Sequence, residues 1–216
     1  QEHDLFDGLQ YTDIYIRASS AIKAAMTGIS KMARDLRFMS SGPRSGLGEI
    51  RIAPVQNGSS IMPGKVNPAL PESMNVLSYL VIGMDAAVTA AAEGGELELN
   101  VWEAVIISEL LRMTQILPDM IETFAKKCVK TIKVNIERCL KEAEDTLSSA
   151  AVISALKGYQ IGTEAAQYAA ARGLSLKEAA VACGCLSREE ADDLLDPLML
   201  TDVLKTGKLL LEYKDK

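Results

Sequence analysis

The sequence predicts an all-α protein: a long-helix bundle followed by a small helical C-terminal domain. Three observations predict it. Apolar residues Ile22, Ala25, Met26, Ile29, Met32, Ala33 and Leu36 step by threes and fours, the period of a helix with one buried face. A nearly unbroken apolar run spans Val76 to Ala92. After about residue 148 the texture changes to shorter pieces opened by hydroxyl residues that suit helix caps. Composition agrees. Hydrophobic residues make up 48% of the 216, enough for a core, while aromatics are only 5%, which suits close-packed aliphatic helices.

The elements follow in order. Residues 1–11 give no clear start to a domain and carry the only histidine, His3, which reads as solvated. A helix is predicted over 12–38, capped by Thr12 or Asp13, with Lys31, Arg34 and Arg37 on its other face. Ser40 to Gly48 breaks it; Arg44 there either holds a carboxylate or anchors the loop. Residues 49–57 read as irregular, with one strand-like turn at most. The next helix is predicted over 71–92, with Pro71 as its first residue and Glu72 in its first turn. It is apolar on almost every side, so it belongs in the middle of a bundle or at a subunit interface, and it predicts self-association. Gly94-Gly95 ends it.

Asn100 and Glu103 are spaced as a capping pair for a helix over 101–126, whose stripe is Val105, Ile106, Leu110, Met113, Leu117, Met120, Ile121 and Phe124. Pro118 is expected to kink it. A fourth helix is predicted over 128–145, with Ile132, Ile136, Cys139 and Leu140 facing inward. Three short helices follow, opened by Thr163, Ser175 and Ser187; the last is stopped at Asp196-Pro197. The predicted domains are 1–147 and 148–216.

Several function classes recede. Net charge is −6 and no basic stripe is interleaved with aromatics, so nucleic acid is a poor partner. An acidic protein still takes an anionic substrate through a few local donors. The run from Val76 to Ala92 is interrupted by Ser78, Gly83, Asp85 and Thr89, and a membrane span needs about 20 mostly apolar residues. It reads as a core helix; with no signal peptide in view, a cytoplasmic location is expected. Cys183-Gly184-Cys185 lacks the spacing and the nearby histidine of a usual zinc knuckle, so Cys128, Cys139, Cys183 and Cys185 read as reduced thiols. No metal-ligand cluster is visible, and no cofactor is expected.

One stretch carries chemistry: Gly58-Ser59-Ser60-Ile61-Met62-Pro63-Gly64-Lys65-Val66-Asn67-Pro68. Its glycines and prolines forbid regular structure. It brings two hydroxyls, an ammonium and a carboxamide together, and Lys65 and Asn67 are suited to binding a carboxylate.

That stretch resembles the signature of the aspartase/fumarase superfamily of lyases. The segments Ser41-Gly42-Pro43-Arg44-Ser45-Gly46-Leu47-Gly48-Glu49-Ile50 and Ala92-Glu93-Gly94-Gly95-Glu96-Leu97-Glu98-Leu99-Asn100-Val101 are similar to its flanking segments. The resemblance runs from about Leu9 to the C-terminal region. It implies a homotetramer with a central helical bundle and active sites each assembled from three subunits. It implies a dicarboxylate substrate and elimination across a C–C bond. It assigns Ser59 on a mobile loop as the general base, Ser60 to the carboxylate whose charge grows, and Lys65 and Asn67 to the other carboxylate. Glu72 stands where fumarases of the superfamily place a glutamate paired with another subunit's histidine; a plain helix N-terminal carboxylate is the other reading. The stretch from Thr89 to Glu103, with Trp102 and Glu103 after Asn-Val, is more similar to aspartases than to fumarases. The matching segments belong to the C-terminal half of such lyases, so a fragment of a larger enzyme, inactive alone, is expected. Non-catalytic helical oligomerisation is the reading from another class. One departure is Leu156-Lys157-Gly158-Tyr159-Gln160-Ile161-Gly162, where the superfamily has Leu-Asn-Pro before Ile-Gly.

Overall fold

The computed structural model describes residues 3–214; residues 1, 2, 215 and 216 lie outside the described residues. The chain forms two compact units, which divide between Val134 and Asn135.

The first unit is built on three long helices. A short helix α1 (Leu5–Gln10) precedes α2 (Asp13–Met39), and β1 (Ile50–Arg51), α3 (Ala69–Glu93), α4 (Glu103–Lys127) and β2 (Lys133–Val134) follow. The long helices have 27, 25 and 25 residues, so each runs roughly 40 Å. α3 packs along both α2 and α4. Its buried positions Pro71, Met74, Asn75, Ser78, Val81, Met84, Asp85 and Val88 recur by threes and fours, so one stripe faces its neighbours. Met26, Val81, Met84, Met113 and Leu117 form one core cluster; Ala33, Met74, Phe124 and Cys128 form another nearer the start of α3. Val76, Tyr79, Leu80 and Ile82 of α3 stay exposed outside that stripe. By length and composition α3 is also apolar enough to cross a membrane. Asp85, however, sits in its buried stripe and is bound to α2 by Lys23, Ser19 and Ser20.

Burial alone would raise the Asp85 pKa. The hydrogen bonds from Lys23, Ser19 and Ser20, with the Lys23 charge, outweigh burial and hold Asp85 below the usual carboxylate range. A carboxylate depressed in the folded state stabilises above its unfolded pKa of about 3.9, and that stability is lost as pH falls through the folded value. Urea midpoints followed from pH 6 downward are therefore expected to drop below about pH 4, and Asp85→Asn is expected to flatten that drop. An equally steep drop in Asp85→Asn would remove Asp85 as its source.

Several local expectations are corrected. α3 starts at Ala69 with Pro68 at the cap, so Pro71 is the third residue; its missing N–H still costs nothing there. Asn100 does not cap α4, since Trp102 holds that place. The buried Asn100 amide instead donates to Ala91 O at 3.1 Å and Ala92 O at 3.3 Å, closing the end of α3, while its Oδ1 accepts from Trp102 N at 2.9 Å. Thr12 caps α2 without a side-chain hydrogen bond. The helix expected over 128–145 starts only at Ile136. Before it a 3-10 turn, Val129–Thr131, leads into β2, which pairs antiparallel with β1. Ile136 and Leu140, expected inside, are exposed.

The second unit holds α5 (Ile136–Asp145), α6 (Ala150–Lys157), α7 (Tyr159–Arg172), α8 (Leu176–Ala182), α9 (Arg188–Leu194) and α10 (Val203–Lys214). α5 packs on α8, so it sits with the second unit rather than in a domain ending at 147. Ile153, Ala165, Leu176, Ala180, Leu186, Ala191, Leu194 and Leu195 form the core. Both predicted capping boxes are present, Ser175 with Glu178 and Ser187 with Glu190. Thr163 lies inside α7, which starts four residues earlier at Tyr159. Gly162 is required where α7 crosses α6: a Cβ there would lie 2.0 Å from Ser154 Oγ. Gly158, in the stretch that departs from the superfamily, joins α6 to α7 at φ +100°, a value proline does not adopt.

Candidate active site

The loop before α3 is shaped by its own glycines. Pro63 and Gly64 take the central positions of a turn whose Lys65 N–H donates to Met62 O at 3.2 Å. Gly64 has φ +78°, the value a type II turn needs at its third position. Gly58 lies directly against this turn: a Cβ on it would fall 1.6 Å from the Lys65 carbonyl oxygen. The loop is thus pinched together at its base, with the two serines and the turn on the closed segment.

Within the pinch, Ser59 Oγ accepts from two backbone N–H groups, those of Ile61 and Met62, each at 3.2 Å. Those donors aim at the hydroxyl oxygen, where negative charge would sit if the proton were lost. Ser59 is half-buried, while Ser60 and Lys65 are exposed and Asn67 is half-buried. The side chains of Ser60, Lys65 and Asn67 make no hydrogen bond or ion pair among the described residues. A hydroxyl, an ammonium and a carboxamide are left open on the same loop as an oxygen that is already held. Ile61, at the loop tip, is 86% exposed.

Glu72 lies on the first turn of α3, with one carboxylate oxygen 3.5 Å from the Arg37 guanidinium. Arg37 also donates to Asn75 Oδ1 at 3.3 Å, and the buried Asn75 amide donates to Ser30 O at 2.8 Å and Ser30 Oγ at 2.9 Å. These bonds tie the end of α2 to the start of α3. Arg37 and Asn75 were missed as positioning residues; the signal was a carboxamide on the buried stripe of an apolar helix, which requires a polar partner.

The flanking segment after α2 is anchored by Ser41 rather than Arg44. Ser41 Oγ donates to Phe38 O at 2.6 Å and accepts from Leu47 N at 3.0 Å. Gly46 packs so closely on Ser41 that a Cβ would meet its backbone at 2.4 Å. Arg44 is exposed and makes no hydrogen bond among the described residues. No group of three or more histidine, cysteine or acidic side chains suited to a metal ion occurs among the described residues.

Comparison with known proteins places this loop. A family profile described as "Lyase" matches residues 1–83, and one described as "Fumarase C C-terminus" matches residues 152–202. The chain belongs to the aspartase/fumarase superfamily of lyases. Among curated superfamily members, an aspartate ammonia-lyase from a Bacillus species is 41% identical over 91% of this chain and 42% of its own. A class II fumarate hydratase from Halalkalibacterium halodurans is 39% identical over 89% of this chain and 42% of its own. The crystal structure of a class II fumarase from Schistosoma mansoni superposes with a TM-score of 0.85 at 31% identity, over 90% of this chain and 41% of that one. The chain therefore spans about two-fifths of the length of the curated relatives it matches.

Proposed function

We propose that this chain carries the base-bearing loop of an ammonia-lyase that converts L-aspartate to fumarate and ammonia. The supporting observation is the Ser59 hydroxyl oxygen held by the Ile61 and Met62 N–H groups. A serine hydroxyl is too weak an acid to serve as a base unless its alkoxide is stabilised, and the two fixed N–H donors supply part of that stabilisation. Ser59 takes the proton from the carbon beside one substrate carboxylate. The electron pair moves into that carboxylate, giving a dianion. Ser60, with its hydroxyl unengaged, receives the added charge, while Lys65 and Asn67 hold the other carboxylate. The C–N bond then breaks, the carbon–carbon double bond forms and ammonia leaves.

In this reading Glu72, whose carboxylate lies 3.5 Å from the Arg37 guanidinium, pairs with a histidine from another subunit of the full-length protein. The exposed Ile61 and the apolar outer face of α3 fit a site closed by other copies of the chain in a tetramer. The 216-residue chain by itself is expected to be inactive, so substitutions are read in a full-length protein that carries it. Fumarate hydratase, acting on malate, is the second reading, favoured by the 39% identity to a curated member with that activity.

Lys65→Ala tests the loop's role. A charge-assisted hydrogen bond contributes about 1.5–3 kcal/mol, so KM for the preferred dicarboxylate is expected to rise on the order of 10- to 100-fold, with a smaller change in kcat. L-aspartate and L-malate are offered side by side. An unaltered KM would take Lys65 out of substrate binding, and turnover of malate alone would favour the hydratase.

A further inference from the structure

We propose that Cys183 and Cys185 form a dithiol site that a small disulfide oxidises to an intrachain disulfide across Gly184. The two Sγ atoms lie 2.8 Å apart. A disulfide bond is about 2.05 Å long, so the sulfurs need to close by less than about 1 Å.

The backbone holds them there. Cys183 N donates to Ala179 O at 2.9 Å, Gly184 N to Val181 O at 3.1 Å, and Cys185 N to Ala180 O at 2.9 Å. Leu186 N also donates to Ala180 O, at 3.1 Å. Four consecutive N–H groups thus fasten the turn to the end of α8. Gly184 takes φ +76°, a conformation that side chains rarely adopt, and it swings the chain so that both cysteines point to one side. Among the described residues neither thiol has another polar partner beyond weak contacts, Cys183 Sγ to Ala180 O at 3.6 Å and Cys185 Sγ to Ile161 O at 3.9 Å. Both are half-buried at the edge of the second unit's core, open enough for a small oxidant.

The two thiols have different parts. Burial, the hydrogen bond with Cys183 and the nearby Glu164 push Cys185 up to about 11, so it stays protonated. Cys183 therefore makes the first attack. Its thiolate displaces one half of the small disulfide, whose S–S bond breaks and whose released sulfur takes up a proton. A mixed disulfide remains on Cys183. Cys185 then gives its proton to solvent, and its sulfur attacks the Cys183 sulfur, releasing the second half as a thiol. Two protein thiols are oxidised and one small disulfide is reduced to two thiols. So short a loop gains little stability from closure, which makes the bond a reversible chemical change rather than a staple.

The test uses the reduced chain with glutathione disulfide, quenched by alkylation and read by mass spectrometry. The tryptic peptide 178–188 contains both cysteines. The expected result is a fall in alkylatable thiols from the four in the sequence to two, with the loss confined to that peptide, whose mass drops by two hydrogens. Cys185→Ser is expected to halt at a single glutathione adduct on Cys183, and Cys183→Ser is expected to react far more slowly and never to close. The equilibrium for closure is expected to be on the order of tenfold more favourable in the folded chain than in urea, because the turn pre-positions the sulfurs. Two alkylatable thiols remaining in peptide 178–188, glutathione on both of its cysteines, or equal closure in urea would each overturn the proposal.

Discussion

Ser59→Ala is expected to lower kcat by roughly 10²- to 10⁴-fold, the usual cost of removing a positioned general base. KM should change little, because the groups assigned to ground-state binding, Lys65 and Asn67, are untouched. The substitution removes one oxygen from a half-buried site on a loop, so the fold should not notice. The Ile61 and Met62 N–H groups that the oxygen had accepted from at 3.2 Å would turn to water. Fumarate absorbance in the ultraviolet reads the rate, and a urea midpoint within experimental error of the parent's excludes unfolding. Undiminished turnover would remove Ser59 from the role of base.

Gly58→Ala is expected to cost nearly as much without touching any reacting group. The new methyl would lie 1.6 Å from the Lys65 carbonyl oxygen, so the pinch at the base of the loop has to open. Ser59 and Lys65 then separate, and a misplacement of about 1 Å is enough to cost on the order of 10²-fold in rate. Gly64→Ala makes the contrast. Gly64 has φ +78° but open space around it, so alanine there strains one turn without forcing two strands of the loop apart. The loss of kcat/KM should be clearly larger for Gly58→Ala, with both proteins melting within a few degrees of the parent. Equal and small losses would mean that the pinch does not set the geometry of the site.

What the sequence disclosed, and what it withheld, follows from the range of the interactions involved. The long helices α2, α3 and α4 were legible because each carries its apolar stripe in its own residues, and the boxes at Ser175 and Ser187 because both partners lie within one turn. The segment from Cys128 to Val134 was misread as helix. Its apolar spacing allows one, but its residues Lys133 and Val134 pair with Ile50 and Arg51, far away in sequence. Asn100 was misread for the same reason: its spacing to Glu103 mimics a cap, while its partners are the carbonyls of Ala91 and Ala92 at the end of α3.

The site divides in the same way. The loop's residue types and the turn around Gly64 could be read locally. The closure of Gly58 on Lys65 and the clamp of Arg37 on Glu72 and Asn75 depend on how segments meet. α6 and α10 were not anticipated: Ser149 caps α6 without a side-chain hydrogen bond, and α10 opens on a single capping residue rather than a box, Asp202, whose carboxylate accepts from Leu204 N at 3.2 Å and Lys205 N at 3.1 Å.

The most direct test of the account is the product stoichiometry on L-aspartate. A full-length protein carrying this chain is incubated with L-aspartate, and fumarate is followed by absorbance while ammonia is assayed in the same samples. The account predicts fumarate and ammonia in equal amounts, at a rate lowered roughly 10²- to 10⁴-fold by Ser59→Ala, and no fumarate from L-malate. Fumarate from malate with no ammonia from aspartate would contradict it.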